Sequence, residues 1–209
     1  MSKMNVEFIA DENIDETYAK PIRIIHTLIA LCTIGQLTLG ETMTIPEVES
    51  ANEPPAVKTL GYEMHEVLGV LLITLIIMRL ALAFFPLKGA SWAELFPYLS
   101  KKGRAEMKSE LKTQMPKWKK LKLAHPDEGI SLARSIHGFI VISLGIMSVT
   151  GIMLFLGWNN AAPQTEFIEM ISEIHTTNVG ILEALLGVHI LAVIIHTLQK
   201  HDIMKRIKI

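Results

Sequence analysis

The sequence has one cysteine, Cys32, in 209 residues. That excludes a disulfide scaffold, and with it zinc or iron–sulfur centres built on several thiolates. Charge is scarce: Asp, Glu, Lys and Arg make up 20% of the chain, against about a quarter in a soluble domain. There is no excess of positive charge. The formal net charge is -1 and the pI is near 6.7, so no overall basic field draws nucleic acid. The low apolar content of a disordered chain is missing too, because 50% of residues are hydrophobic and mean hydropathy is +0.36. Residues 1–20 lack the apolar core of a signal peptide and instead carry Glu7, Asp11, Glu12, Asp15 and Glu16.

What the sequence does have is long runs nearly free of charge. The runs are Ile24–Gly40, about Met64–Leu87 (broken only by Glu66 and Arg79), Ser135–Gly157 and Ile174–Gln199 (broken only by Glu183), and they predict helices over about 22–40, 62–86, 131–157 and 173–199. A membrane-spanning helix needs about 20 mostly apolar residues at about 1.5 Å each. The first run is the shortest and holds Thr33, Gln36 and Thr38. A soluble helical bundle would not repeat uncharged runs of this length. The expected fold is therefore all-α: a single domain over residues 1–209, an integral membrane bundle of four helices.

Loop charge predicts the orientation. Leu87 to Arg134 carries eleven Lys and Arg, including Lys101, Lys102, Arg104, Lys117, Lys119 and Lys120. The loop after the first helix has only Lys58 among five acids, and the loop after the third has neither Lys nor Arg. Positive loops stay in the cytoplasm. Both termini and the 87–130 loop are thus expected inside, and 41–63 and 158–173 outside, as an even helix count requires. The basic loop also has Pro86, Pro97, Pro116 and Pro126, with Trp92, Phe96, Tyr98 and Trp118 among its lysines. It reads either as one or two short helices lying on anionic lipid or as a solvated linker.

Six of the eight histidines fall in or at the ends of the helices: His26, His65, His137, His175, His189 and His196. Ionisable groups at membrane depth are costly and mark function. His175 and His189 are fourteen residues apart, about 21 Å along a helix and only about 40° off one face. No single ion reaches both, but two stacked planar cofactors do. Alternating helix direction puts His65 at the depth of His175, and His26 at the depth of His189. Each pair suits a six-coordinate haem iron, closed to small ligands and fit for carrying electrons. His137 shares the inner depth, so depth alone leaves any two of His26, His137 and His189 for the inner haem. Arg79, fourteen residues after His65, is placed to pair with haem propionates. His196 lies two turns beyond His189 at the inner interface, with Lys200 and His201 after it. Glu183, mid-membrane, reads either as a protonated, hydrogen-bonded structural group, the favoured reading, or as part of a proton path.

The stretches PIRIIHTLIA, YEMHEVLGVLLITLIIMRL, ARSIHGFIVISLGIMSVTGIM and IHTTNVGILEALLGVHILAVIIHTLQKHD resemble the bacterial di-haem cytochromes b of the five-six-one type. That family includes the cytochrome b subunits of nickel–iron hydrogenases and superoxide oxidases. The last stretch is the most specific: His, 13 residues, His, six residues, His, then a basic–His–Asp end. The resemblance covers most of residues 20–205. It implies two haems b, with His26 and His189 ligating one and His65 and His175 the other, and it demotes His137. It also implies a quinone site at the cytoplasmic side around His196, near Lys200 and His201.

The expected function is electron transfer across the bacterial inner membrane between an outside donor and the quinone pool, with no catalytic residue assigned. The resemblance offers three donors: superoxide, a periplasmic redox protein, or a dehydrogenase or hydrogenase subunit for which this chain is the membrane anchor. Acidic outer loops (Glu41, Glu47, Glu49, Glu53, Glu166, Glu169, Glu173) repel an anion and suit a basic protein. A transition-metal permease is the remote alternative, since such a site clusters its ligands at one depth.

Overall fold

The computed structural model describes residues 17–119, 122–123, 130–201 and 203–208. The acids before residue 17, together with Lys120 and Pro126, lie outside the described residues. Four long helices are apolar enough to cross a membrane: α1 (Lys20–Thr42), α2 (Leu60–Ala81, extended by a 3-10 turn over Leu82–Phe84), α5 (Ile130–Gly157) and α6 (Glu166–Leu198). Two shorter helices, α3 (Trp92–Leu95) and α4 (Lys101–Trp118), occupy the basic loop. The chain is a multi-pass helical membrane protein.

Local chemistry sets the helix starts. Pro21 sits in the first turn of α1, where its missing N–H costs nothing. Thr59 and Thr165 cap α2 and α6, each hydroxyl accepting from a backbone N–H 3.3 Å away. The Thr165 cap explains why α6 begins at Glu166, well before its uncharged run: Glu166 and Glu169 favour the positive end of the helix dipole.

In the bundle α1 packs on α2, α2 on α5 and α5 on α6. No comparable packing joins α1 to α6. A buried cluster of Ile25, Cys32, Leu72, Leu75, Ile76, Leu144 and Leu182 fills the middle. Asn178 of α6 and Ser143 of α5 pair across it: Ser143 Oγ donates to Asn178 Oδ1 (3.1 Å), and Asn178 Nδ2 donates to the Ser143 carbonyl (2.9 Å). Such pairs hold helices together where water is absent. Outward residues such as Leu31, Ile34 and Val67 are exposed, as a lipid-facing surface requires.

The basic loop is a folded layer on α5, so its linker reading fails. Glu110 accepts from the Ser131 and Leu132 N–H groups (3.1 and 2.9 Å), and Glu106 accepts from the Ser131 hydroxyl (3.1 Å). Two carboxylates of α4 thereby serve the open N-terminus of α5. Lys101, Lys108, Lys112 and Lys119 remain exposed. At the same end, Tyr18 N–H donates to the Arg206 carbonyl and Ala19 N–H to that of Lys88 (both 3.1 Å). At the acidic end the two loops are tied by Trp158 Nε1 to the Pro46 carbonyl (2.9 Å) and by Ala56 N–H to the Asn160 carbonyl (2.7 Å).

Candidate functional site

α6 carries two histidines toward the other helices, one near each end of the bundle. The His175 ring faces His65 of α2, with ring centres 6.4 Å apart and planes at 73°. The His189 ring faces His26 of α1 at 6.5 Å and 61°. Two imidazoles bound to one metal from opposite sides place their centres about 6.2 Å apart. That follows from two bonds of about 2.0 Å and about 1.1 Å from each nitrogen to its ring centre. Both pairs meet this spacing, and they stand fourteen residues apart on one helix.

His137 of α5 lies beside His189, with ring centres 4.9 Å apart. That is too close for one iron between these two rings. Among the described residues, no three His, Cys, Asp or Glu side chains gather closely enough to hold an ion.

There is room for a planar group at the acidic-end pair. A cavity of about 280 Å³ is lined by His65 and His175 with Gln36, Gly69, Leu72 and Met147 among its walls. The His65 carbonyl accepts from Gln36 Nε2 (2.9 Å). Thr33 Oγ1, Gln36 Oε1 and His65 Nδ1 are buried without a hydrogen-bond partner. His175 differs: its Nδ1 is 2.8 Å from the Thr150 hydroxyl. The paired histidines, the apolar walls and the cleft fit a bis-histidine haem.

The rest of the expected site is distributed as follows. Arg79 clasps the loop after α2, donating to the carbonyls of Gly89 (3.0 Å) and Ala90 (3.3 Å). Gly89 adopts φ +85 there, a conformation that costs glycine little. His196 and His201 bring their Nδ1 atoms to 2.9 Å. Lys200 makes that contact possible: its φ of 61 turns the chain back, and His201 N–H donates to the His196 carbonyl (2.9 Å). Glu183 departs from its expected role. It is exposed, and no hydrogen bond holds it among the described residues, because its position on α6 faces away from the buried stripe of Ile171, Asn178 and Leu182.

At the acidic end Lys58 is bound to Glu66 (2.6 Å) and lies over the Tyr62 ring (5.2 Å). Residues the sequence did not single out complete the site, Thr150 above all.

The family model described as "Prokaryotic cytochrome b561" matches residues 17–208. The comparisons with curated proteins and with solved structures give no match.

Proposed function

The chain belongs to the prokaryotic cytochrome b561 family, whose members transfer electrons across membranes by haem b, and from that premise we propose a specific path: donor at the acidic end, two bis-histidine haems, quinone at the basic end. His65 with His175 holds one haem, and His26 with His189 the other. The observation carrying this reading is the pair of ring separations, 6.4 and 6.5 Å, one pair above the other on α6. A haem b held between these imidazoles would supply one-electron chemistry and leave no place for a small ligand. The helices keep the rings facing each other and the surroundings apolar, and Arg79 keeps further N–H donors for a propionate beyond the two it spends on the loop.

The basic end faces the cytoplasm of a bacterial inner membrane, by the distribution of Lys and Arg. The donor is a basic periplasmic redox protein. Acids crowd the loops at that end, and the loop's one lysine, Lys58, is neutralised by Glu66. A superoxide anion therefore meets no free cation there. A haem assay on the detergent-purified protein tests the core of the reading. A b-type spectrum with two haems per chain is expected. One haem means that a pair is misassigned, and none, with adequate haem supply, overturns the reading and brings metal transport forward.

His196, Lys200 and His201 form the quinone site. The joined imidazoles offer a hydrogen-bonding edge for a quinone carbonyl, and Lys200 adds a cation nearby. His196→Ala should keep both haems yet slow quinone reduction at least tenfold in stopped-flow. Wild-type quinone kinetics would remove this assignment.

Glu183 favours a second reading, in which this chain is the membrane anchor of a larger redox complex. A carboxyl facing lipid is costly, and a partner helix would cover it. Native electrophoresis of solubilised membranes separates the two: migration as this chain alone rejects the anchor reading.

A further inference from the structure

We propose that Thr150 is a positioning residue for His175, and that through it the haem at the acidic end acquires a lower reduction potential than it would otherwise have. This rests on the reading of His65 and His175 as axial ligands. Thr150 is 6% exposed, on the face of α5 turned to α6. Its Oγ1 lies 2.8 Å from the Ile146 carbonyl, 3.2 Å from that of Met147 and 2.8 Å from His175 Nδ1.

A threonine hydroxyl has a single proton, and carbonyl oxygens only accept. With Nε2 of His175 turned to the metal, as the ligand reading has it, Nδ1 carries the ring's proton and donates it to a lone pair of Oγ1, whose own proton goes to the Ile146 carbonyl. The hydroxyl thus supports the tautomer that a ligand needs and holds the ring in one orientation.

Donation from Nδ1–H to an acceptor also makes the imidazole more basic. A more basic ligand favours ferric over ferrous iron and lowers the potential for the one-electron reduction. No proton moves in that step. His65 has no matching support, since its Nδ1 is buried without a partner. No hydrogen bond to the rings of His26 or His189 occurs among the described residues. The acidic-end pair is therefore the one with a polarised ligand. Its haem gives up electrons more readily, which directs flow toward the basic end.

The test is a potentiometric titration of the purified holoprotein, with electron paramagnetic resonance of the oxidised haems. Thr150→Val should keep both haems and shift one of them about tenfold toward the ferrous form at a given potential, an upward move of about 59 mV for one electron. It should also change one of the two low-spin signals. Thr150→Ser retains the hydroxyl and should restore both values. If the valine variant does not accumulate, Thr150→Ala is read in the same way. Unchanged potentials and signals in the valine or alanine variant overturn the proposal, and so does a serine variant that behaves like them. Failure of the underlying reading looks different: His175→Ala would then retain two haems.

Discussion

His189→Ala is expected to purify with one haem per chain instead of two, and His26→Ala to lose the same one. Each removes one of two axial nitrogens from a pair whose ring centres are 6.5 Å apart, and alanine offers no replacement. Potentiometry identifies the haem that remains: in both variants it should match the one lost from His175→Ala. His137→Ala is the control that gives the experiment its force. Its ring sits 4.9 Å from that of His189, beside the pair and not across an iron from His189, so this variant should keep both haems. Loss of a haem there would make His137 a ligand and break the pairing of His26 with His189.

Gly138→Ala should be among the most destabilising single changes in the protein. A Cβ at this position would stand 2.2 Å from the Leu95 carbonyl oxygen and 3.1 Å from the Tyr98 hydroxyl. The first of these is backbone and cannot swing aside, so the layer formed by α3 and the following turn must lift off α5. Overpacking of this kind costs about 3 kcal/mol, or about 6–12 °C in Tm at about 2–4 °C per kcal/mol. Gly145→Ala, two turns along the same helix, meets nothing within 4 Å and should leave Tm within about 2 °C or raise it, since alanine is the better helix former. Equal melting of the two variants in detergent would show that the contact at Gly138 does not hold the layer.

Much of this arrangement is legible in the residues themselves. Length and apolarity reveal four helices, and a spacing of fourteen on α6 reveals two layers, because both follow from helix geometry alone. Depth alone does not say which two of three histidines share the basic-end layer, since it fixes only one coordinate; in the sequence only the family resemblance chooses between them. The lateral one, 6.5 Å against 4.9 Å, needs the packed bundle. Thr150 gives no signal either. A threonine in an apolar helix usually bonds its own backbone, and only the approach of α6 turns its lone pair to use. Among the eleven cations between Leu87 and Arg134, nothing in the sequence distinguishes the two carboxylates that reach the first turn of α5, Glu106 and Glu110. A mid-membrane carboxyl such as Glu183 is expected to face the bundle, and here the helix rotates it outward.

The contacts of Glu106 and Glu110 with the first turn of α5 also set a timetable. Their partners lie 21, 22 and 25 residues further along the chain. Arg23, in contrast, donates to the carbonyl of Lys208 across a separation of 185. Short loops close early and at small entropic cost, long ones late. During synthesis α4 has already emerged when the first turn of α5 appears, so that turn meets its carboxylates at once. The clasp between the first turn of α1 and the segment after α6 can form only when all four spans exist. The His26–His189 layer, on the two helices that this clasp joins, therefore gains that tie only after the partners at the first turn of α5 have been made.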